Sequence, residues 1–286
     1  MIHDSELTLA PDGTLYHIRL TGSTLADNVI LVGDPGRVEA FRPLFSTIEH
    51  ESLNREMHAL TGICQGKPLT VLSTGMGTDN IDIVLTELDA CANMDLTTRE
   101  PKAEHRTLNL IRIGTSGSLQ QAIPVGSHVA SAYAVGLDGL LNYYEHQPSK
   151  LERELTANFL IHMDLPSAFA RPYGAAASQE LLSRVAHDMH HGITATAPGF
   201  YAPQGRHVRL APTLQGLNER LATFRYGGCI LTNLEMETSA IYGLASAMGH
   251  RALTVCLIIA NRPTGQFLND YHQPMQELIE KVLERL

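Results

Sequence analysis

The stretch Ile111-Arg112-Ile113-Gly114-Thr115-Ser116-Gly117 sets an arginine inside an apolar strand, which begins at Leu108, and follows it with a turn of glycines and hydroxyl residues. Short apolar runs that stop at glycine are typical of strands in a buried sheet. The same pattern occurs twice upstream. Asn28–Val32 runs into Gly33-Asp34-Pro35-Gly36-Arg37-Val38, and Leu69–Ser73 runs into Thr74-Gly75-Met76-Gly77. Further strands are predicted at His128–Val135, Ile193–Ala197 and Leu253–Ala260. Helical spacing marks Asp79–Asn93, where Asp79 or Asn80 is placed to cap and Ile81, Val84, Leu85 and Leu88 share a face. It also marks Ser178–His190, Leu234–Met248 with Gly249 as its stop, and Met275–Leu286. Strands alternating with helices predict an α/β fold around a largely buried sheet.

The rest of the chain narrows the function classes. Its 286 residues are 44% hydrophobic and 18% charged, with 23 Gly, 14 Pro and no Trp, which fits a soluble globular protein and excludes collagen-like or disordered chains. The formal net charge of −9 repels polyanions, so neither a nucleic acid nor an anionic membrane is an expected partner. No window reaches the roughly 18 apolar residues of a membrane span, and the start, MIHDSELTLAPDG, lacks the apolar core of a secretory signal. The expected compartment is the cytoplasm. Cys64, Cys91, Cys229 and Cys256 form no Cys-x-x-Cys pair and read as reduced and buried. The polar stretch Asp95–Thr107 reads as an exposed insertion within a single domain covering residues 1–286.

Each glycine turn is placed to carry chemistry, and each has a plainer reading. Gly33 lets a ligand approach the backbone, and Arg37 can meet an anion there or lie on the surface of an ordinary turn. The 73–77 turn can offer free N–H groups, but Asn80 stands at the third position of a Gly-x-Gly-x-x-Gly fingerprint, which disfavours a nicotinamide dehydrogenase. Ser118 breaks Gly-x-Ser-x-Gly after Gly114, so no serine-hydrolase elbow is supported. Arg112 needs either a partner carboxylate or a bound anion, because a lone buried guanidinium is costly. Glu235 and Glu237 read as the acidic first turn of a helix. His187 and His191 stand at i, i+4, a spacing open to metal, yet no third ligand accompanies them, and a solvated helix face is the expected role.

In order, Gly-Asp-Pro-Gly-Arg-Val at 33–38, Asn-Arg-Glu at 54–56, Ser-Thr-Gly-Met-Gly at 73–77, Arg-Ile-Gly-Thr-Ser-Gly at 112–117, Glu-Met-Glu at 235–237 and Ala-Asn-Arg at 260–262 resemble the nucleoside phosphorylase family. That family contains uridine phosphorylases and trimeric or hexameric purine nucleoside phosphorylases. The resemblance spans nearly the whole chain. It implies a central mixed, twisted, partly barrel-like β-sheet flanked by helices, and a homo-oligomer built from dimers that share active sites, with assembly into a hexamer left open. It further implies that Gly33, Arg37, Arg112 and Thr115, with Arg55 from the neighbouring subunit, hold inorganic phosphate. Arg forks suit phosphate oxygens, and their convergence outweighs the net charge at short range. Glu237 and Thr115 then contact the ribose, Met236 packs beneath it, and His17 reaches the 5′-hydroxyl across the dimer.

The base is implied by Phe200-Tyr201-Ala202-Pro203-Gln204-Gly205-Arg206, which is similar to a segment of uridine phosphorylases. Gln204 and Arg206 can read the polar edge of uracil, Phe200 can pack on the ring, and Gly117 lies beside it. Purine enzymes of the family usually carry an aspartate after the last strand. Ile259-Ala260-Asn261-Arg262 has none. The expected reaction is therefore reversible phosphorolysis of uridine to uracil and α-D-ribose 1-phosphate, with a purine or broad-specificity phosphorylase, or a non-catalytic nucleoside-binding homologue, as the alternatives. Arg112, Arg206, Gln204 and a water near Arg262 would carry catalysis, and no cofactor is needed beyond phosphate as co-substrate. Some relatives hold a monovalent cation between subunits, and the matching positions for such a potassium site are Glu56, Met76 and Asn80, the last standing where serine is usual.

Overall fold

Asn28–Val32 and the run beginning at Asn109 pair in parallel, Asn28 beside Asn109 through Leu31 beside Arg112, and the sheet grows from this pair. The computed structural model describes residues 2–286. In chain order the first half contains β1 (Asn28–Val32), α1 (Pro35–Glu39), β2 (Phe45–Asn54), β3 (Met57–Cys64), β4 (Lys67–Ser73), α2 (Thr78–Asn93), β5 (Met94–Asp95), β6 (Glu100–Pro101), β7 (Asn109–Ser118) and β8 (His128–Gly136). There follow α3 (Lys150–Met163), β9 (Tyr173–Ala176), α4 (Gln179–Val185), β10 (His190–Thr196), α5 (Leu217–Thr223), β11 (Arg225–Tyr226), β12 (Cys229–Glu235), α6 (Thr238–Ala247), β13 (Arg251–Asn261), β14 (Gln266–Phe267) and α7 (His272–Glu284).

The sheet divides at β7. Its first residues pair with β1 and lead through β4 and β3 to β2 at the edge. Its last residues, Gly117 and Ser118, pair antiparallel with Leu234 and Asn233 of β12. Since β12 continues to β10, β10 to β8, β8 to β13 and β13 back to β7, these five strands close into a small barrel. The partly barrel-like mixed α/β sheet is thus observed. Strands buried on both faces explain the continuous apolar runs: Val29, Ile30, Leu31, Ile111 and Ile113 are all fully buried. No described helix is long and apolar enough to cross a membrane.

Several expectations need correction. Gly114-Thr115-Ser116-Gly117 is not a turn but the continuation of β7, paired with Cys256–Ala260 of β13. Ladder pairing with β13, joined at Gly117 by β12, overrides the local turn composition. Gly114 is required there because a Cβ would meet the Arg112 guanidinium, which folds back over it, at 1.9 Å. Leu234 and Glu235 end a strand, and the helix begins only at Thr238. The helix after Ser178 stops at Val185, so His187 leaves it and His190 and His191 open β10, on opposite faces of that strand; no i, i+4 histidine pair exists. The cap of α2 is Gly77, not Asp79 or Asn80. Cys229 is half-buried, whereas the other three cysteines are buried, and all four are free. The stretch after Asp95 is mostly exposed, as expected, and carries the two-residue hairpin β5–β6 at its start.

Candidate active site

The ends of β1, β4, β7, β12 and β13 surround one cavity of about 650 Å³. Gly33, Arg37, Arg112, Thr115, Gly117, Phe200, Gln204, Arg206, Met236 and Glu237 all line it, so residues spread over two hundred positions converge as their motifs implied.

At one end β7 aims Arg112 inward. The residue is 5% exposed and answers both sequence alternatives: it has carboxylate partners and keeps donor capacity. Nη2 donates to Glu237 Oε2, and Nη1 lies 3.4 Å from Glu235 Oε2 and 3.4 Å from Cys256 Sγ. Nε makes no hydrogen bond among the described residues. Burial alone would weaken its hold on the proton, but the carboxylates of Glu237 and Glu235 raise it above the usual arginine range. The two glutamates differ in duty. Glu235 is saturated, accepting from the Thr196 hydroxyl at 2.7 Å and from the backbone N–H of Glu237 and of Thr238 at 3.0 Å each. Glu237 accepts from Gly77 N at 2.7 Å besides Arg112, and burial lifts its carboxyl above the ordinary range despite that arginine. One of the N–H groups of the 73–77 turn, that of Gly77, is therefore spent on Glu237.

Arg37 reaches the same end from α1, whose N-terminus Asp34 caps by accepting from Gly36 N at 2.9 Å. Its guanidinium donates from Nη1 to Ile113 O at 3.3 Å and forms no ion pair with a carboxylate among the described residues. Burial and the adjacent Arg112 hold its pKa below the usual range. A half-buried, uncompensated guanidinium beside another arginine gains from any anion that enters.

The other end is built from loops. Arg206 lies 3.8 Å over the Phe200 ring and donates from Nη1 to Gln204 Oε1 at 2.7 Å, which leaves the Gln204 amide N–H₂ unused among the described residues. Burial and the charge of Arg262 push the Arg206 pKa down to about 10. Arg262 does not line the cavity; it stands behind, with Nη2 3.3 Å from Gln204 O. Asn261 faces inward, 1% exposed, donating to Gln120 O and Ile123 O and accepting from Thr264 N.

Two implied site residues, His17 and Arg55, are absent from this chain's cavity and lie together elsewhere. The Arg55 guanidinium sits 5.9 Å from the Tyr16 ring centroid, and His17 Nδ1 meets Glu87 Oε1 at 2.6 Å while Glu87 also accepts from the backbone of His17 and Ile18. That carboxylate fixes the imidazole and leaves Nε2 free. Glu56, Met76 and Asn80 do meet at the cavity wall, but Asn80 Nδ2 donates to the Met76 carbonyl at 3.3 Å. The Met76 carbonyl keeps a second lone pair beside that hydrogen bond, and with the Glu56 carboxylate and Asn80 Oδ1 it would supply the oxygens of the potassium site that the resemblance implies. Sequence reasoning assigned no role to Ser116, Ile259 or Phe267, which also line the cavity; Phe267 carries no local motif that could have found it.

The sequence model of the phosphorylase superfamily matches residues 27–286. The uridine phosphorylase of Thermococcus kodakarensis is 30% identical over 262 residues, which is 90% of this chain and 80% of that relative. A purine nucleoside phosphorylase DeoD-type of Geobacillus stearothermophilus is 28% identical over 273 residues, covering 94% of this chain and 97% of that relative. Among solved structures, a Trypanosoma brucei nucleoside phosphorylase that shows uridine phosphorylase activity superposes with a TM-score of 0.86 at 29% identity, covering 97% of this chain and 99% of that one.

Proposed function

The chain belongs to the phosphorylase superfamily as a nucleoside phosphorylase, a pentosyltransferase whose co-substrate is phosphate, and on that premise we propose that its nucleoside is uridine. The observation that carries this reading is the chemistry of the loop-built end. Arg206 and the Gln204 amide present donors to the carbonyl edge of a pyrimidine, and Asn261, at the end of β13, is fully used inside the barrel and cannot serve as a proton donor to a purine nitrogen.

Phosphate enters between Arg37 and Arg112, beside the Gly33 backbone and the Thr115 hydroxyl. The glycosidic bond lengthens toward an oxocarbenium ion while the phosphate below C1′ stabilises the positive charge and attacks with inversion. The electron pair of the broken bond goes to uracil as negative charge. Arg206, held without a carboxylate partner, stabilises that charge more in the transition state than in the ground state. Glu237 accepts the ribose hydroxyls and Met236 lies under the sugar.

Charge balance supports a two-chain site. Within one chain the cavity is lined by three arginines, Arg37, Arg112 and Arg206, against four carboxylates, Asp34, Glu56, Glu235 and Glu237. A phosphate dianion needs a further cation. Arg55 is exposed and has no carboxylate partner among the described residues, and in this reading it enters the neighbouring subunit's cavity together with His17.

A broader specificity has its own support in the purine nucleoside phosphorylase relative. The experiment is a substrate panel of uridine, thymidine, inosine and adenosine, with and without phosphate. Uridine is expected to give the highest kcat/KM and no base release without phosphate. A higher kcat/KM for inosine or adenosine overturns the uridine assignment.

A further inference from the structure

We infer that Thr196 is a positioning residue of the phosphate end, its hydroxyl aiming the Glu235 carboxylate that in turn steers Arg112, an inference that rests on the assignment of Arg112 to phosphate. Thr196 closes β10, is fully buried, and stands beside Glu235 in the parallel register of β10 and β12, behind the cavity wall. Its Oγ1 lies 2.7 Å from Glu235 Oε1 and 2.9 Å from the backbone N of Ser239. That N–H can only donate, so the Thr196 oxygen accepts there and its single proton goes to the carboxylate. The branched side chain restricts its own rotation, which leaves the hydroxyl one orientation.

Glu235 needs such a guide. Its backbone donors, the N–H groups of Glu237 and Thr238, all approach from the start of α6. Among the described residues Thr196 is the one uncharged side chain that donates to it. Arg112 Nη1 stays 3.4 Å from Glu235 Oε2, too far for a charge-assisted hydrogen bond. The carboxylate thus attracts the guanidinium without taking its donor. Released from Thr196, it can turn and close that gap, and the donor is then spent on Glu235 and lost to an entering phosphate. The brace continues behind Thr196. Ser239 Oγ lies 3.1 Å from Asp138 Oδ2 and 2.9 Å from the Tyr173 hydroxyl, which itself donates to Asp138 Oδ1 at 2.9 Å. These bonds fix the first turn of α6, and with it the N–H that orients Thr196.

The test is steady-state kinetics of the full-length T196V, T196A and T196S proteins, using whichever nucleoside the wild-type enzyme turns over best. Loss of one hydrogen bond to a buried carboxylate is expected to raise the phosphate KM about tenfold in T196V and T196A. The nucleoside KM should stay within about twofold, and T196S, which keeps the hydroxyl, should restore near wild-type values. Because Thr196 acts through Arg112, adding T196V to R112A should cost less than about twofold further in kcat/KM for phosphate. A phosphate KM that stays near wild type in T196V and T196A overturns the inference, as does T196S behaving like T196V, or losses in the double variant that multiply in full. A purely structural role for Thr196 would lower Tm and leave the phosphate KM of the folded enzyme unmoved. An R112A protein with an unchanged phosphate KM would refute the phosphate assignment itself, whereas a raised value there beside a normal T196V refutes the role of Thr196 alone.

Discussion

Arg112 and Arg206 line the same cavity, yet one is 5% exposed in a strand with two carboxylates against it, while the other projects from a loop over an aromatic ring with no carboxylate partner. The difference separates two tasks. Around Arg112 every group is fixed by sheet pairing and by a saturated Glu235, an arrangement suited to chemistry that does not change with the base: holding phosphate and the sugar. Around Arg206 the groups come from the segment after β10 and from the β13–β14 hairpin, where sequence can vary without disturbing the barrel. On the proposed reading, reaction type resides in strands and base choice in loops.

The sharpest way to break this division is Arg112→Ala. It removes the central cation of the phosphate end and leaves Glu235 and Glu237 without it, so turnover should fall by about 10²–10³-fold for every nucleoside accepted. A loss confined to uridine would place Arg112 at the base end. If Arg55 crosses a two-fold dimer, mixing R55A with R112A subunits should regain about one quarter of wild-type activity, since half the dimers are mixed and each rebuilds one intact site. No recovery would confine each site to one chain.

Arg206→Ala should cost about 10–10² in kcat/KM for uridine, the scale of a charged hydrogen bond, and little in phosphate KM. Comparable damage to phosphate binding would erase the distinction between the ends. The smallest effect expected is on pH. Burial raises the Glu237 carboxyl above its ordinary 4.5, and the ionised form is the one that accepts ribose hydroxyls. As pH falls, that carboxylate is therefore protonated earlier than a free one. The acid limb of kcat/KM for the nucleoside should have its midpoint above 4.5. A limb at or below that value would remove Glu237 from ribose binding.

Most of the strand-built end was legible in the sequence because its residues sit at the ends of apolar runs and in recurring glycine motifs. The details that escaped are tertiary. Gly114–Gly117 reads as a turn until β12 and β13 pair with it, and Glu235 reads as a helix residue until its oxygens are seen to collect the N–H groups of Glu237 and Thr238. β2 and β3 form an antiparallel hairpin that went unread, for Phe45–Asn54 alternates half-buried and exposed residues with few β-branched apolar positions. Phe267 escaped for a different reason: only the hairpin register brings it to the cavity.

A crystal structure of the protein with phosphate and uridine bound would test the division of the cavity most directly. The expected result is an anion held between Arg37 and Arg112 with an arginine from a second chain beside it, and uracil with its carbonyl edge on Gln204 and Arg206. An anion bound elsewhere, or a base lying against Arg112 with the sugar at Arg206, would contradict it.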